Sequence, residues 1–208
     1  MKRKELNKAF KENLIDEGKY KEELFKLETA KKITKEKRKL PVALSEEEFT
    51  KLIKVTNRKK MQLAFLLGYG SGLRVSEVIK LLPTQVNIKE KNIFIKDAKG
   101  GRDRVVPLPK GFKPEHLNLL PLKYKNVKSG SRSLQSAFKF YCKKAGLLKI
   151  KPTLHFHSLR HGFATQLVKQ NVPIHHIRTL MGHSNISTTN VYLEANPKEA
   201  LKSYEELF

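Results

Sequence analysis

Residues 59–72, KKMQLAFLLGYGSG, constrain the fold most: they read as a buried helix stopped by Gly68, Gly70 and Gly72. A helix of that kind needs a core wrapped around it. The chain has 208 residues, enough for one or at most two domains with a real core.

The flanking segments supply the wrapping. LSEEEFTKLI has the pattern of a capping box, with Ser45 as N-cap and Glu48 at N3. RVSEVIKLL begins a further helix that Pro83 ends. QVNI, NIFIK and DRVVPL are short, rich in β-branched residues and separated by turn-rich KEK and AKGGR, which predicts a small antiparallel sheet. Residues 109–132 hold three of the nine prolines and the loop KSGSR, and read as an irregular connection. A helix is expected from Ser133 to a Gly146 cap, and another from Pro173 to Gly182. Ser187 is a plausible N-cap, and PKEALKSYEELF reads as a C-terminal helix. The expected fold class is mainly α with one small antiparallel β-sheet, an α+β arrangement. Ahead of it, residues 1–39 are rich in Lys and Glu, with Leu6, Phe10 and Leu14 at every fourth position. They read as one or two exposed amphipathic helices and a basic linker ending at Pro41.

The formal net charge of +23 far exceeds what solubility needs and attracts polyanions. Nucleic acid is the leading partner class and a membrane surface the second. The sequence has no apolar run of 18 or more residues, and the charged N-terminus lacks the apolar stretch of a signal peptide. A protein kept in the cytoplasm, without membrane association, is the expectation. Cys142 is the only cysteine, which leaves no intrachain disulfide and no multi-cysteine zinc site; its helical setting reads as core.

HFHSLRHGFATQL, residues 155–167, places His157, Arg160 and His161 at i, i+3 and i+4 beside apolar Leu159, Phe163 and Leu167. His-x-x-x-His spacing fits a zinc helix, but Ser158 stands where the metalloprotease form needs Glu, and Arg160 would sit beside a dication. Two readings stay open on these residues alone. One is an oxyanion site, since Arg matches phosphate and His exchanges protons near neutral pH. The other is a helix whose His and Arg meet solvent or a carboxylate.

Three other places favour the oxyanion. GYGSGLRVSEVIKLL sets Arg74 after a Gly-rich turn at a helix start. KDAKGGRDRVVPL sets Lys99 at a hairpin tip, and LMGHSNISTTNVYLEA sets His183 on a helix-ending turn with Tyr192 nine residues later. Taken in order, GLRVSE, KGGRDRVVPL, HSLRHGFAT and MGHSNISTTNVY resemble the catalytic domain of the tyrosine recombinases, the phage-integrase and Xer family, over about residues 40–195.

The resemblance implies a division of labour. Arg74 and Arg160 would hold the non-bridging oxygens of a scissile phosphate, and Tyr192 would be the nucleophile. Lys99 would protonate the departing 5′ oxygen, His157 would assist proton transfer or bond the phosphate, and His183 would donate to a phosphate oxygen. Glu77 would be a supporting residue and His161 a structural one. No cofactor and no metal is implied. His175 and His176 read as surface or core, His155 and His116 carry no signal, and Tyr69, Tyr141 and Tyr204 read as packing residues.

Members of the family usually carry a helical clamp domain ahead of the catalytic one. Here residues 1–39 are expected to be a basic helical extension, a reduced clamp or none, followed by the catalytic domain at 40–195 and a C-terminal helix at 196–208 that could dock on a neighbouring protomer. The expected function is site-specific DNA recombination through a 3′-phosphotyrosine intermediate. The implied partners are double-stranded DNA, further copies in a tetramer, and a partner recombinase or DNA-bending protein. Topoisomerase-like relaxation of type IB and a DNA-binding accessory role are the alternatives.

Overall fold

A computed structural model describes residues 3–12, 14–33, 41–96 and 103–182. Lys99, His183 and Tyr192, the Ser187 cap and the C-terminal helix lie outside the described residues. The chain divides into two units, Met1–Lys39 and Leu40–Phe208.

The first unit is a helical pair, α1 (Arg3–Lys11) and α2 (Glu17–Ile33). Asp16 starts α2 by accepting the Lys19 amide at 2.7 Å. Phe10 stacks on Tyr20 with ring centroids 4.4 Å apart, and the Tyr20 hydroxyl donates to Asn7 Oδ1 at 2.9 Å. Leu14, third in the every-fourth-residue row, falls between the helices and is exposed.

The second unit is built around α4 (Lys59–Gly70), whose Leu63, Phe65 and Leu67 are wholly buried. The helix runs through Gly68 and ends at Gly70, with Ser71 as its C-cap and Gly72 in the turn beyond. Both glycines serve close packing: a Cβ on Gly68 would lie 3.1 Å from Leu159 Cδ1, and one on Gly70 would lie 2.4 Å from Pro109 Cβ. Of these three glycines only Gly72, at φ +64°, needs glycine for its backbone. Its absent Cβ also makes room for the Phe163 ring, which would otherwise be 2.4 Å away.

Around α4 pack α3 (Glu46–Val55), α5 (Val75–Lys80), α6 (Val127–Lys144), the short α7 (Leu147–Ile150) and α8 (His157–Lys169). Phe65, Phe138 and Phe156 meet at tilted or edge-on angles, with centroids 5.6–6.1 Å apart. Cys142 is buried in the same core, and burial pushes its thiol up to about 12. The α3 capping box forms as expected: the Glu48 amide donates to Ser45 Oγ at 3.2 Å and the Ser45 amide to Glu48 Oε2 at 2.8 Å. Glu48 also accepts from Lys151 Nζ at 2.6 Å, tying α3 to the segment ahead of α8.

Helix α6 begins six residues before the expected Ser133. Asn126 is its N-cap, accepting the Ser129 amide at 2.8 Å. The serines and the glycine of KSGSR are poor helix formers, so the segment looks like a loop. Gly130 is there for space, since a Cβ would meet Tyr124 Cδ2 at 2.8 Å. Short 3₁₀ turns at Pro83–Gln85 and Pro114–Leu119 complete the connections.

The sheet is three-stranded and antiparallel, in the order β1 (Val86–Asn87), β2 (Asn92–Ile95), β3 (Arg104–Pro107). Ile93 pairs with Val106 and Ile95 with Arg104. These four point to the core, while Phe94 and Val105 point outward. Arg104 thus occupies an inward position where the alternation calls for an apolar residue. A second cluster, made by Phe163, Ala164, Val168, Ile177 and Met181, packs α9 (Ile174–Met181) on α8. Gly182 ends α9 in the left-handed conformation.

Candidate DNA-phosphate site

Three arginines from three parts of the chain converge on the end of α9. Arg104 Nε donates to the Leu180 carbonyl at 3.0 Å, Arg160 Nη2 to the Met181 carbonyl, and Arg74 Nη2 to the Gly182 carbonyl at 3.1 Å. A helix leaves its last carbonyls without intrahelical partners and carries partial negative charge there. That charge lets three cations gather.

Arg74 stands at the N-cap of α5, directly after the Gly72 turn. The anion at this helix start is the chain's own Glu77. Glu77 Oε2 accepts the Arg74 amide at 2.7 Å, and Oε1 accepts Arg74 Nη1 at 3.0 Å. The same carboxylate is held by Arg104, with Nη1 on Oε1 at 2.9 Å and Nη2 on Oε2 at 2.8 Å. Burial alone would raise the Glu77 carboxyl. The Arg104 hydrogen bonds, the Arg74 amide and both cations outweigh it and hold the group at about 2.

Arg160 is buried, 1% exposed, and does not face solvent. Its Nη1 donates to the Gly72 carbonyl at 2.5 Å, so α8 grips the turn that presents Arg74. Leu159 and Phe163 anchor α8 in the core, with Leu167 packed against the second cluster.

His157 and His161 sit one turn apart with rings edge to face, centroids 4.7 Å apart. Desolvation, then the charges of Arg160, His155 and Arg74, lower His157 to about 4. The residue is exposed, so solvent tempers the effect, but the direction leaves the imidazole neutral at pH 7. A neutral imidazole can accept a proton or donate one hydrogen bond. His175 and His176 are exposed on α9, and Tyr69 and Tyr141 are buried packing residues. The Tyr141 hydroxyl donates to Asn57 Oδ1 at 2.6 Å. Among the described residues no group of three or more His, Cys, Asp or Glu is placed to hold a metal ion. Nor is any described helix long and apolar enough to cross a membrane.

The structure therefore brings Arg74, Arg160 and His157 of the expected set together with Glu77; Lys99, His183 and Tyr192 are outside its description. Arg104 escaped the reading of the sequence. Its signal was the strand pattern: a cation two residues before Val106, on the same inward face.

The model of the phage integrase family matches residues 42–117 and 112–199. This chain belongs to the phage integrase family. Among relatives, tyrosine recombinase XerA of Thermococcus kodakarensis is 36% identical over 184 residues, covering 81% of this chain and 64% of the relative. XerA of Pyrococcus horikoshii is 33% identical over 180 residues, covering 80% and 61%. The chain thus spans less than two thirds of these integrase-family relatives. A XerH site-specific recombinase bound to palindromic difH substrate, a post-cleavage complex, superposes with a TM-score of 0.65 at 23% identity, over 82% of this chain and 54% of that one. This last likeness establishes a shared fold.

Proposed function

We propose that this chain is a site-specific DNA recombinase that cuts and rejoins strands through a 3′-phosphotyrosine link. The observation that carries the reading is the convergence of Arg74 and Arg160 on the adjacent carbonyls of Gly182 and Met181, with His157 three residues before Arg160 on α8. A guanidinium matches the non-bridging oxygens of a phosphodiester, Arg74 from its partly exposed position, and preorganised donors stabilise the charge that gathers in the transition state. XerA relatives and the XerH substrate complex support DNA as the substrate.

In this mechanism the Tyr192 oxygen attacks phosphorus, and the bond from phosphorus to the 5′ oxygen breaks. Lys99 supplies the proton that the departing oxygen takes up, and His157 receives or orients the tyrosine proton. His183 donates to a phosphate oxygen. A 5′ hydroxyl from another strand then reverses the sequence, so the phosphodiester energy is kept and no ATP is consumed. Residues 40–195 form the catalytic domain, and 1–39 lie along DNA as a basic extension. Residues 196–208 dock on a neighbouring copy within a DNA-bound tetramer, with a partner recombinase or DNA-bending protein assisting. The site of action is the cytoplasm, where the host DNA is.

A covalent-adduct assay tests the reading. The full chain is mixed with labelled, nicked genomic fragments from its source, denatured and resolved. A protein–DNA adduct present in the wild type and absent in Tyr192→Phe is the expected result. Retained DNA binding without any adduct would overturn cleavage by this chain alone.

A further inference from the structure

We infer that Arg104 is a positioning residue: by holding Glu77, it leaves the charge of Arg74 available to an anionic ligand. The inference rests on Arg74 being a phosphate-binding group.

Arg104 itself does not meet the ligand. Its side chain is 4% exposed, and each of its guanidinium nitrogens is engaged, Nε on Leu180 and both Nη atoms on Glu77. Arg74, by contrast, keeps a side chain 20% exposed and borders a cavity of about 330 Å³ shared with Lys80 and Lys96.

The single negative charge of Glu77 is divided between the two arginines. Arg104 takes the bidentate pairing, and Arg74 is left with one side-chain bond to Oε1 and its backbone amide on Oε2. Without Arg104 the carboxylate would be free to close on Arg74 as a fork-to-fork pair, the strongest arrangement open to it. That would turn the guanidinium from the ligand and cancel its charge. Among the described residues, the three guanidinium groups bonded to the α9 terminal carbonyls share the one carboxylate of Glu77, so their surplus is positive where an anion would bind.

Arg104 also fixes the exit from α9. A Cβ on Gly182 would lie 3.1 Å from Arg104 Cδ, so the arginine stem packs directly on the turn that Arg74 bonds.

The test uses the full chain and inorganic sulfate as probe, at constant ionic strength set with chloride. Affinity is read from the rise of the melting temperature with sulfate, and the site component is the part lost in Arg74→Gln. Arg104→Gln is expected to weaken that component about tenfold, the scale of one charge removed a few ångströms away. Glu77→Gln with Arg104→Gln removes the carboxylate too and is expected to recover most of the loss. An unchanged affinity in Arg104→Gln, or a double variant no better than the single one, would overturn the inference and leave Arg104 a packing cation. If Arg104→Gln does not fold, Arg104→Lys keeps the charge but cannot fork, and a loss of about threefold is expected; no loss overturns the inference. Should Arg74→Gln leave sulfate affinity intact, the reading of the site itself fails, and this inference with it.

Discussion

Arg160 donates through Nη1 to the Gly72 carbonyl at 2.5 Å, so one guanidinium joins the helix that carries His157 to the turn that presents Arg74. The two arginines of the site are thus set by a single junction of α8 and the turn after α4. Phe163, one turn beyond Arg160 on α8, fills the space left by the missing Gly72 side chain.

Gly72→Ala should therefore damage both fold and site. The new Cβ meets the Phe163 ring and forces a side chain into positive φ, together costing about 3 kcal/mol. Urea denaturation should register that loss. Phe163→Leu in the same chain should return part of it, because the obstructing ring atoms are gone.

Arg160→Lys keeps the charge but not the geometry. One ammonium cannot serve both the Gly72 and Met181 carbonyls, and a buried acceptor left unpaired costs about 1–3 kcal/mol. Reduced stability by chemical denaturation is expected, together with a fall in adduct formation of at least about a hundredfold.

Acid should act in two windows. His157 has its pKa lowered from 6.5 to about 4, so its neutral form is favoured by folding. Its contribution is complete above pH 6.5 and is lost as pH falls through 4. Glu77 is lowered from 4.5 to about 2, so its contribution is present above pH 4.5 and lost as pH falls through 2. Melting temperatures followed across pH should fall in both windows. His157→Asn should flatten the upper one and leave the part below pH 4 unchanged. A bound phosphate should raise the His157 pKa, which imidazole NMR titration with and without ligand would detect.

Ser45→Ala removes the α3 cap, whose bonds run between Ser45 and Glu48. A loss of about 1 kcal/mol is expected by denaturation. Adduct yield at a temperature where the variant stays folded should equal that of the wild type.

The sequence made most elements legible because local signals agreed: the Ser45–Glu48 box, the β-branched strands, and Gly146 and Gly182 as helix ends. It misled where a glycine served packing. Gly68 and Gly130 look like breakers in one dimension, but each stands inside a helix where another segment presses in, which only the tertiary structure reveals. For the site, Arg74, Arg160 and His157 stood out by their motifs. Arg104 and the carbonyls of 180–182 did not, because their pairing is long-range and carbonyls have no signature in a sequence.

The arginine bonds at the end of α9 span separations of 76, 108 and 21 residues. Local helices can form early, but contacts that distant form only after the intervening chain has been gathered. During synthesis, neither Arg74 nor Arg104 can find its carbonyl until α9 has left the ribosome. A nascent chain shorter than 182 residues thus has its cations and its Glu77 but no scaffold to gather them, and the arginine cluster waits until the second unit is nearly finished.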